Sequence, residues 1–156
     1  MKNNFVHQLH TLPEIFEGSY FCIPDYQRGY AWDEKQIDEL LKDIDHLLLD
    51  TSAVRHYTGT LVLSQIKDQS NQYHIVDGQQ RLTTLVIFFK CISLFADKVE
   101  KASITAKYLI RGAIGNDQFV LKLNMDTRKF FEKVVLADAN LENCQITLES
   151  HERLLN

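Results

Sequence analysis

Asp77-Gly78-Gln79-Gln80-Arg81-Leu82-Thr83-Thr84 places an acid, a glycine, two amides, an arginine and two hydroxyls in one run of eight residues. The run begins where the apolar stretch Tyr73-His74-Ile75-Val76 stops, and it leads into the apolar segment Leu82 to Phe95, so it reads as a strand-to-helix junction. Such chemistry suits a phosphate. Gly78 lets the backbone approach a ligand with no Cβ in the way. The first turn of the helix offers N–H donors that have no intrahelical acceptor, at the positive end of the dipole. Arg81 adds a permanent planar cation with five donors. Thr83 and Thr84 bring hydroxyls one turn in, where phosphate or magnesium could be ligated. Two readings fit Asp77, a helix cap or an acid of the site, and Arg81 has a second reading as a partner of Asp77 or Asp25.

A second dense cluster is Ile23-Pro24-Asp25-Tyr26-Gln27-Arg28-Gly29-Tyr30-Ala31-Trp32. Tyr26, Tyr30 and Trp32 are of the type that stacks a base, and Arg28 is of the type that pairs with phosphate. The competing reading makes the aromatics staples at a helix entrance and Arg28 the partner of an acid. Trp32, beside a capping Asp33, fits the staple better; Gln27 and Arg28, which precede a glycine, fit ligand contact better.

The surrounding pattern supplies the elements that must position these groups. Phe5 to Phe16 reads as a short helix with Leu9, Leu12, Ile15 and Phe16 on one face, limited by Pro13. Tyr20 to Ile23 reads as a strand ended by Pro24. Asp33 caps a helix predicted from about Glu34 to Leu49, on which Ile37, Leu40, Leu41, Ile44, Leu47 and Leu48 form an amphipathic stripe; Asp38, Glu39, Asp43 and Asp45 read as its solvated face. Thr58 to Ile66 and Tyr73 to Val76 read as two strands joined by the hairpin-length link Lys67 to Asn71. The helix after Arg81 is apolar almost all round and is expected in the middle of the core. Lys107 to Arg111 and Gln118 to Leu123 read as strands around Gly112 and Gly115, and Asp126 as the cap of a helix through Leu136. Ser150 reads as the cap of one more helix, too short to persist by itself, which suggests the N-terminal piece of a longer protein.

Composition narrows the classes. With 45% hydrophobic and 24% charged residues the chain is globular, and a net charge of −4 disfavours a surface that grips duplex DNA by general electrostatics. No apolar run reaches the roughly 20 residues that span a bilayer, and the start lacks the apolar core of a secretion signal, so a cytoplasmic protein with no membrane partner is expected. Cys22, Cys91 and Cys144 have no C-x-x-C spacing and read as buried reduced thiols. His7 and His10 have metal spacing but no companions; His56 and His74 read as surface or hydrogen-bonded histidines. The phosphate-loop, dinucleotide and nucleophile-elbow motifs are absent.

The two clusters together, I-P-x-Y-Q-R-x-Y-x-W at Ile23 to Trp32 and D-G-Q-Q-R-L-T-T-L at Asp77 to Leu85, resemble the N-terminal domain of GmrSD-type, modification-dependent restriction proteins and related phage-defence proteins. Between them, Tyr57-Thr58-Gly59-Thr60-Leu61-Val62-Leu63 is similar to the family's aromatic-x-G-[ST]-hydrophobic strand. Lys122-Leu123, Asp126, Phe130-Phe131 and Ser150 to Leu154 match weaker downstream patterns. The resemblance implies an α/β (α+β) fold of the ParB/sulfiredoxin type, a small mixed sheet packed by helices. It implies a nucleotide-binding core over residues 1–96 and a helical C-terminal extension over 97–156. It also implies binding and hydrolysis of a nucleoside triphosphate with Mg²⁺, coupled to DNA cleavage by a C-terminal HNH-type nuclease domain or a partner subunit. No H-N-H-like cluster follows Phe131, and the oligomeric state stays open.

Carried onto this chain, the nucleotide-binding set is Tyr26, Gln27, Arg28, Tyr30, Gly59, Asp77, Gly78, Gln79, Gln80, Arg81, Thr83 and Thr84. Asp77, Gln79, Gln80 and Arg81 are its catalytic members, with Asp77 the metal ligand. The mechanism expected from that set has Arg81 and Arg28 on the phosphates and Gln79 or Gln80 positioning the attacking water. Two alternatives stand beside it: a non-hydrolytic nucleotide- or DNA-binding switch, and a metal-dependent nuclease built on the ParB-like fold itself.

Overall fold

Tyr20-Phe21-Cys22 alternates in burial because successive residues of a strand point to opposite faces, and Phe21 alone of the three enters the core. In the computed structural model, which describes residues 7–49, 56–112, 116–137 and 149–155, this strand, β1 (Tyr20–Cys22), is central. It runs parallel to β3 (Gln72–Asp77) on one side and to β6 (Leu121–Lys122) on the other, while β2 (Val62–Gln65) pairs antiparallel with β3. The four-stranded mixed sheet has the order β2-β3-β1-β6, and β4 (Ile110–Arg111) and β5 (Gln118–Phe119) form a separate antiparallel pair. Helices α1 (Leu12–Phe16), α2 (Glu34–Leu49), α3 (Gln79–Phe95), α4 (Lys98–Ile104), α5 (Met125–Phe130) and α6 (Glu149–Arg153) complete a mixed α/β architecture. Because β1, β3 and β6 are parallel, the chain leaves all three at one edge. The loop to α2, Gly78 of α3 and Asn124 of α5 all follow from that edge, the usual place for a ligand in an open α/β sheet.

Packing explains where the elements depart from the pattern reading. The helix expected from Phe5 begins at Leu12, because the Glu14 carboxylate reaches back to the Thr11 N–H (2.6 Å) and closes a capping box there; residues 7–10 are not helical. The strand expected from Thr58 starts only at Val62, since Gly59 has φ +103°, outside the strand region. Lys107 to Leu109 are not strand but part of a wide π-helical turn, Thr105–Leu109, that continues α4. It is held there by Tyr108, stacked on Phe89 at 3.8 Å and edge-on to Phe16. Asn124, not Asp126, precedes α5, and α6 starts at Glu149, not after Ser150. The apolar α3 is central only in its first half. At about 1.5 Å per residue its 17 residues run about 26 Å, longer than the strands below them, so its last turn leaves the core and Phe95 is 92% exposed. Cys22 is half-buried and Cys91 exposed, where burial was expected; Cys144 and Gly115 lie outside the described residues.

Residues from both sides of position 96 contribute to the core. Leu121, Phe130, Phe131, Leu136 and Leu154 share one core with Phe16, Phe21, Ile75 and Val86. Arg111 fastens the same seam, its guanidinium donating to the carbonyls of Ser19 (2.6 Å), Phe16 and Lys107 while lying over the Tyr20 ring. Burial of that cation lowers its pKa from the ordinary arginine value. α6, expected to be a stub, docks through His151 stacked on Phe130 (4.3 Å) and through buried Leu154.

Candidate functional site

Gly78 is the hinge of the site. It has φ +88°, ψ +10°, the left-handed conformation, and a Cβ there would meet the Leu61 side chain and the Thr60 carbonyl at 3.0 Å. It stands at the N-cap of α3, and no side chain caps the helix, so the first-turn donors remain available to a ligand. Asp77 is therefore not the cap. Its carboxylate is exposed and has neither a hydrogen bond nor an ion pair among the described residues.

The Ile23–Trp32 loop folds over this junction and is held by the amides of the motif. Gln80 accepts from the Ala31 N–H (2.7 Å) and donates to the Gly29 carbonyl (3.1 Å), so both ends of its amide are engaged. Tyr30 is 5% exposed, with its hydroxyl 2.8 Å from Thr84 Oγ1. Burial raises the phenol pKa, and the Thr84 hydrogen bond offsets part of that rise. Thr83 and Thr84 donate to the carbonyls of Gln79 and Gln80 in the preceding turn. The strand register skips Val76, and the Val76 carbonyl accepts from Gln27 Nε2 (3.1 Å). Asp25, proposed as a partner of Arg81, instead accepts the Met125 N–H at the start of α5 (2.8 Å).

Arg81 lies under the Tyr57–Leu61 segment. It donates to the Thr60 carbonyl (3.3 Å), and a Cβ on Gly59 would come within 2.6 Å of its guanidinium. Gly59 thus serves by leaving room for the arginine. Arg28 is exposed without a side-chain partner among the described residues, and Tyr26 is 79% exposed. The carbonyl of Arg28 accepts a long hydrogen bond from Gln79 Nε2 (3.4 Å), which brings that loop residue to the start of α3. Gln79 itself is 8% exposed, and its Oε1 has no partner. An unpaired buried acceptor is costly and calls for a donor from water or ligand.

The structure therefore brings the twelve residues expected from the sequence to one strand–helix edge but divides them. Tyr30, Gln80, Thr83 and Thr84 are turned inward and bonded within the protein, and Trp32 packs against the core. Asp77, Arg28 and Tyr26 are turned outward. Sequence reasoning missed Asn124, which donates to the Gln27 carbonyl (2.9 Å) and is buried behind the loop; its place before a helix was the signal. It expected a helix near Ser150 but not its contact with this loop, where Ser150 sits 2.9 Å from the place of a Gly29 Cβ and Arg153 donates to the Ala31 carbonyl (2.5 Å). Between these layers lies a crevice of about 10 Å³, lined by Arg28, Gly29, Tyr30, Gln80, Thr83 and Asn124. That is room for little more than one water molecule, so the crevice itself is closed to a larger ligand.

Among the described residues no three His, Cys, Asp or Glu side chains converge on a metal position. No helix among the described residues is long and apolar enough to cross a membrane.

No curated protein is significantly similar to the chain. The family model described as "GmrSD restriction endonuclease, N-terminal domain" matches residues 11–155, from the cap of α1 through α6 and across both motifs. This chain belongs to the GmrSD restriction endonuclease N-terminal domain family.

Proposed function

We propose that the rim formed by Asp77, Gly78, Arg81, Arg28 and Tyr26 binds the phosphate chain of a nucleoside triphosphate. In a full-length restriction or defence endonuclease, this domain regulates DNA cleavage by a C-terminal nuclease domain or partner subunit. The observation that carries the reading is the pairing of an exposed, unpartnered acid and arginine with the uncapped N-terminus of α3. Helix donors and guanidinium groups supply the positive field that a phosphate chain needs. Asp77 would hold Mg²⁺, which neutralises phosphate charge when bound. Tyr26 offers an exposed ring for a base. The parallel placement of β1, β3 and β6 supports the ParB/sulfiredoxin-like kinship of the fold.

Phosphoryl transfer to water asks a protein mainly for positioning and charge neutralisation. Gln79 is suited to orient that water, because its amide nitrogen is anchored to the Arg28 carbonyl and its oxygen is free to accept. Gln80, with both amide ends engaged, is assigned to holding the loop. That engagement also favours a second reading, a switch that binds nucleotide without turnover, since a single amide is left for catalysis. Incubation of the chain with radiolabelled GTP, ATP, CTP and UTP and Mg²⁺ separates the two. Release of labelled phosphate that Gln79→Ala abolishes supports hydrolysis; saturable binding with no release assigns the switch. Nicking of supercoiled plasmid by the isolated chain would favour a nuclease in this fold instead.

A further inference from the structure

The apolar stripe of α2 is only half used by the fold. Leu40 is buried and Ile37, Ile44 and Leu47 are half-buried, whereas Leu41 is 42% and Leu48 75% exposed. A surface helix ordinarily turns its leucines to the core. Leu41 and Leu48 are one heptad apart, and Asp38 and Asp45, also one heptad apart, stand beside them on the same exposed side. Leucines in a seam with acids in the flanking row are how one helix of a coiled coil presents itself to another. Glu34 continues the leucine row one heptad earlier. Asp38 and Asp45 are exposed and form no ion pair among the described residues, and Lys35 and Lys42 lie one step further round the helix, away from the leucine row.

A second copy of the chain does not suit this face. In an antiparallel pair the flanking row meets itself, which sets Asp38 against Asp45 of the other helix. In a parallel pair the row would have to meet the side of α2 that carries Leu40 and Leu47, which is turned toward the core and offers no charge. Like-charge juxtaposition disfavours a pairing. The geometry points to a different occupant: we propose that this face of α2 docks an amphipathic helix of a partner protein whose apolar seam is flanked by lysine or arginine. The 16 residues of α2 run about 24 Å, enough for two heptads of contact. The net charge of −4 adds attraction for a basic partner. The inference does not rest on nucleotide binding.

Two labelled synthetic peptides test it by fluorescence anisotropy with the full 156-residue chain. Both carry a leucine seam of two to three heptads; one has lysine and the other glutamate at every flanking position. The lysine peptide should bind saturably and at least about tenfold more tightly, with affinity that falls as salt rises. Leu48→Asp should abolish that binding, and the double change Asp38→Lys, Asp45→Lys should reverse the preference. Circular dichroism should show both variants folded, because the altered side chains are exposed. Absence of saturable binding by the lysine peptide, equal affinity for the two peptides, or binding that survives Leu48→Asp would overturn the proposal. A native dimer in sedimentation that Leu48→Asp dissolves would assign the face to a second copy and overturn it equally.

Discussion

Two residues separate Asp77 from Gln80, and the surroundings of their side chains are opposite. Gln80 is buried, with its amide accepting from Ala31 and donating to Gly29, about 50 positions away along the chain. Asp77 is exposed and bonded to nothing among the described residues, and Arg28, on the loop that Gln80 holds, is likewise outward and unpaired. The motif is thus two machines in one run of residues. One part, with Tyr30, Thr83 and Thr84, latches the loop to α3; the other stands on the rigid edge that results. Buried polar groups are kept only when satisfied, and exposed charges without partners contribute little to stability. The two parts should therefore answer mutation differently.

The largest effect on stability belongs to the latch. Gln80→Ala strands the Ala31 N–H and the Gly29 carbonyl, each a polar group whose loss of a partner costs about 1–3 kcal/mol; urea unfolding should show a loss of about 2–6 kcal/mol. A fully stable Gln80→Ala would erase the distinction. Gly59→Ala should come next, at about 1–3 kcal/mol, because it forces a Cβ onto a residue with φ +103° and into the Arg81 guanidinium. Its nucleotide affinity should fall as well, since Arg81 must move. Tyr30→Phe should cost about 1 kcal/mol by removing the bond to Thr84.

Tyr30 also sets a pH dependence. Its folded pKa is raised, so its contribution is fully present below the unfolded value near pH 10 and is lost as pH rises through the folded value. Alkaline denaturation above about pH 10 should be shallower in Tyr30→Phe than in the native chain. The smallest stability effects belong to the rim: Asp77→Asn and Arg28→Ala should each stay within about 0.5 kcal/mol of native in urea unfolding. A large loss there would mean that these side chains serve the fold after all.

Local signals were legible where local physics decides. The stripe from Ile37 to Leu48 predicts a helix from about Glu34 to Leu49, and α2 has those bounds. The strand–helix junction at Asp77 to Arg81 is likewise where its residue types place it. What the pattern could not carry was which face of an element meets what. The leucines of α2 predict a buried face, yet half of it is open, and the apolar α3 outruns the sheet beneath it. For the site, an amide left with an open acceptor and an amide engaged at both ends look alike in sequence. Gln79 and Gln80 are adjacent and identical in type, and only the return of Gly29 and Ala31 from a distant loop separates their roles. Gly59 read as part of a strand because nothing in its neighbourhood along the chain marks its positive φ or the Arg81 guanidinium that long-range packing brings against it.

The measurement that bears most directly on the account is calorimetric titration of the chain with nucleoside triphosphates and Mg²⁺, native against Arg28→Ala. Native protein should bind at least one of the four nucleotides saturably, and Arg28→Ala, equally stable in urea, should bind it at least about tenfold more weakly, a difference of about 1.4 kcal/mol. Unchanged affinity in a folded Arg28→Ala protein, or no binding of any triphosphate by the native chain, would contradict it.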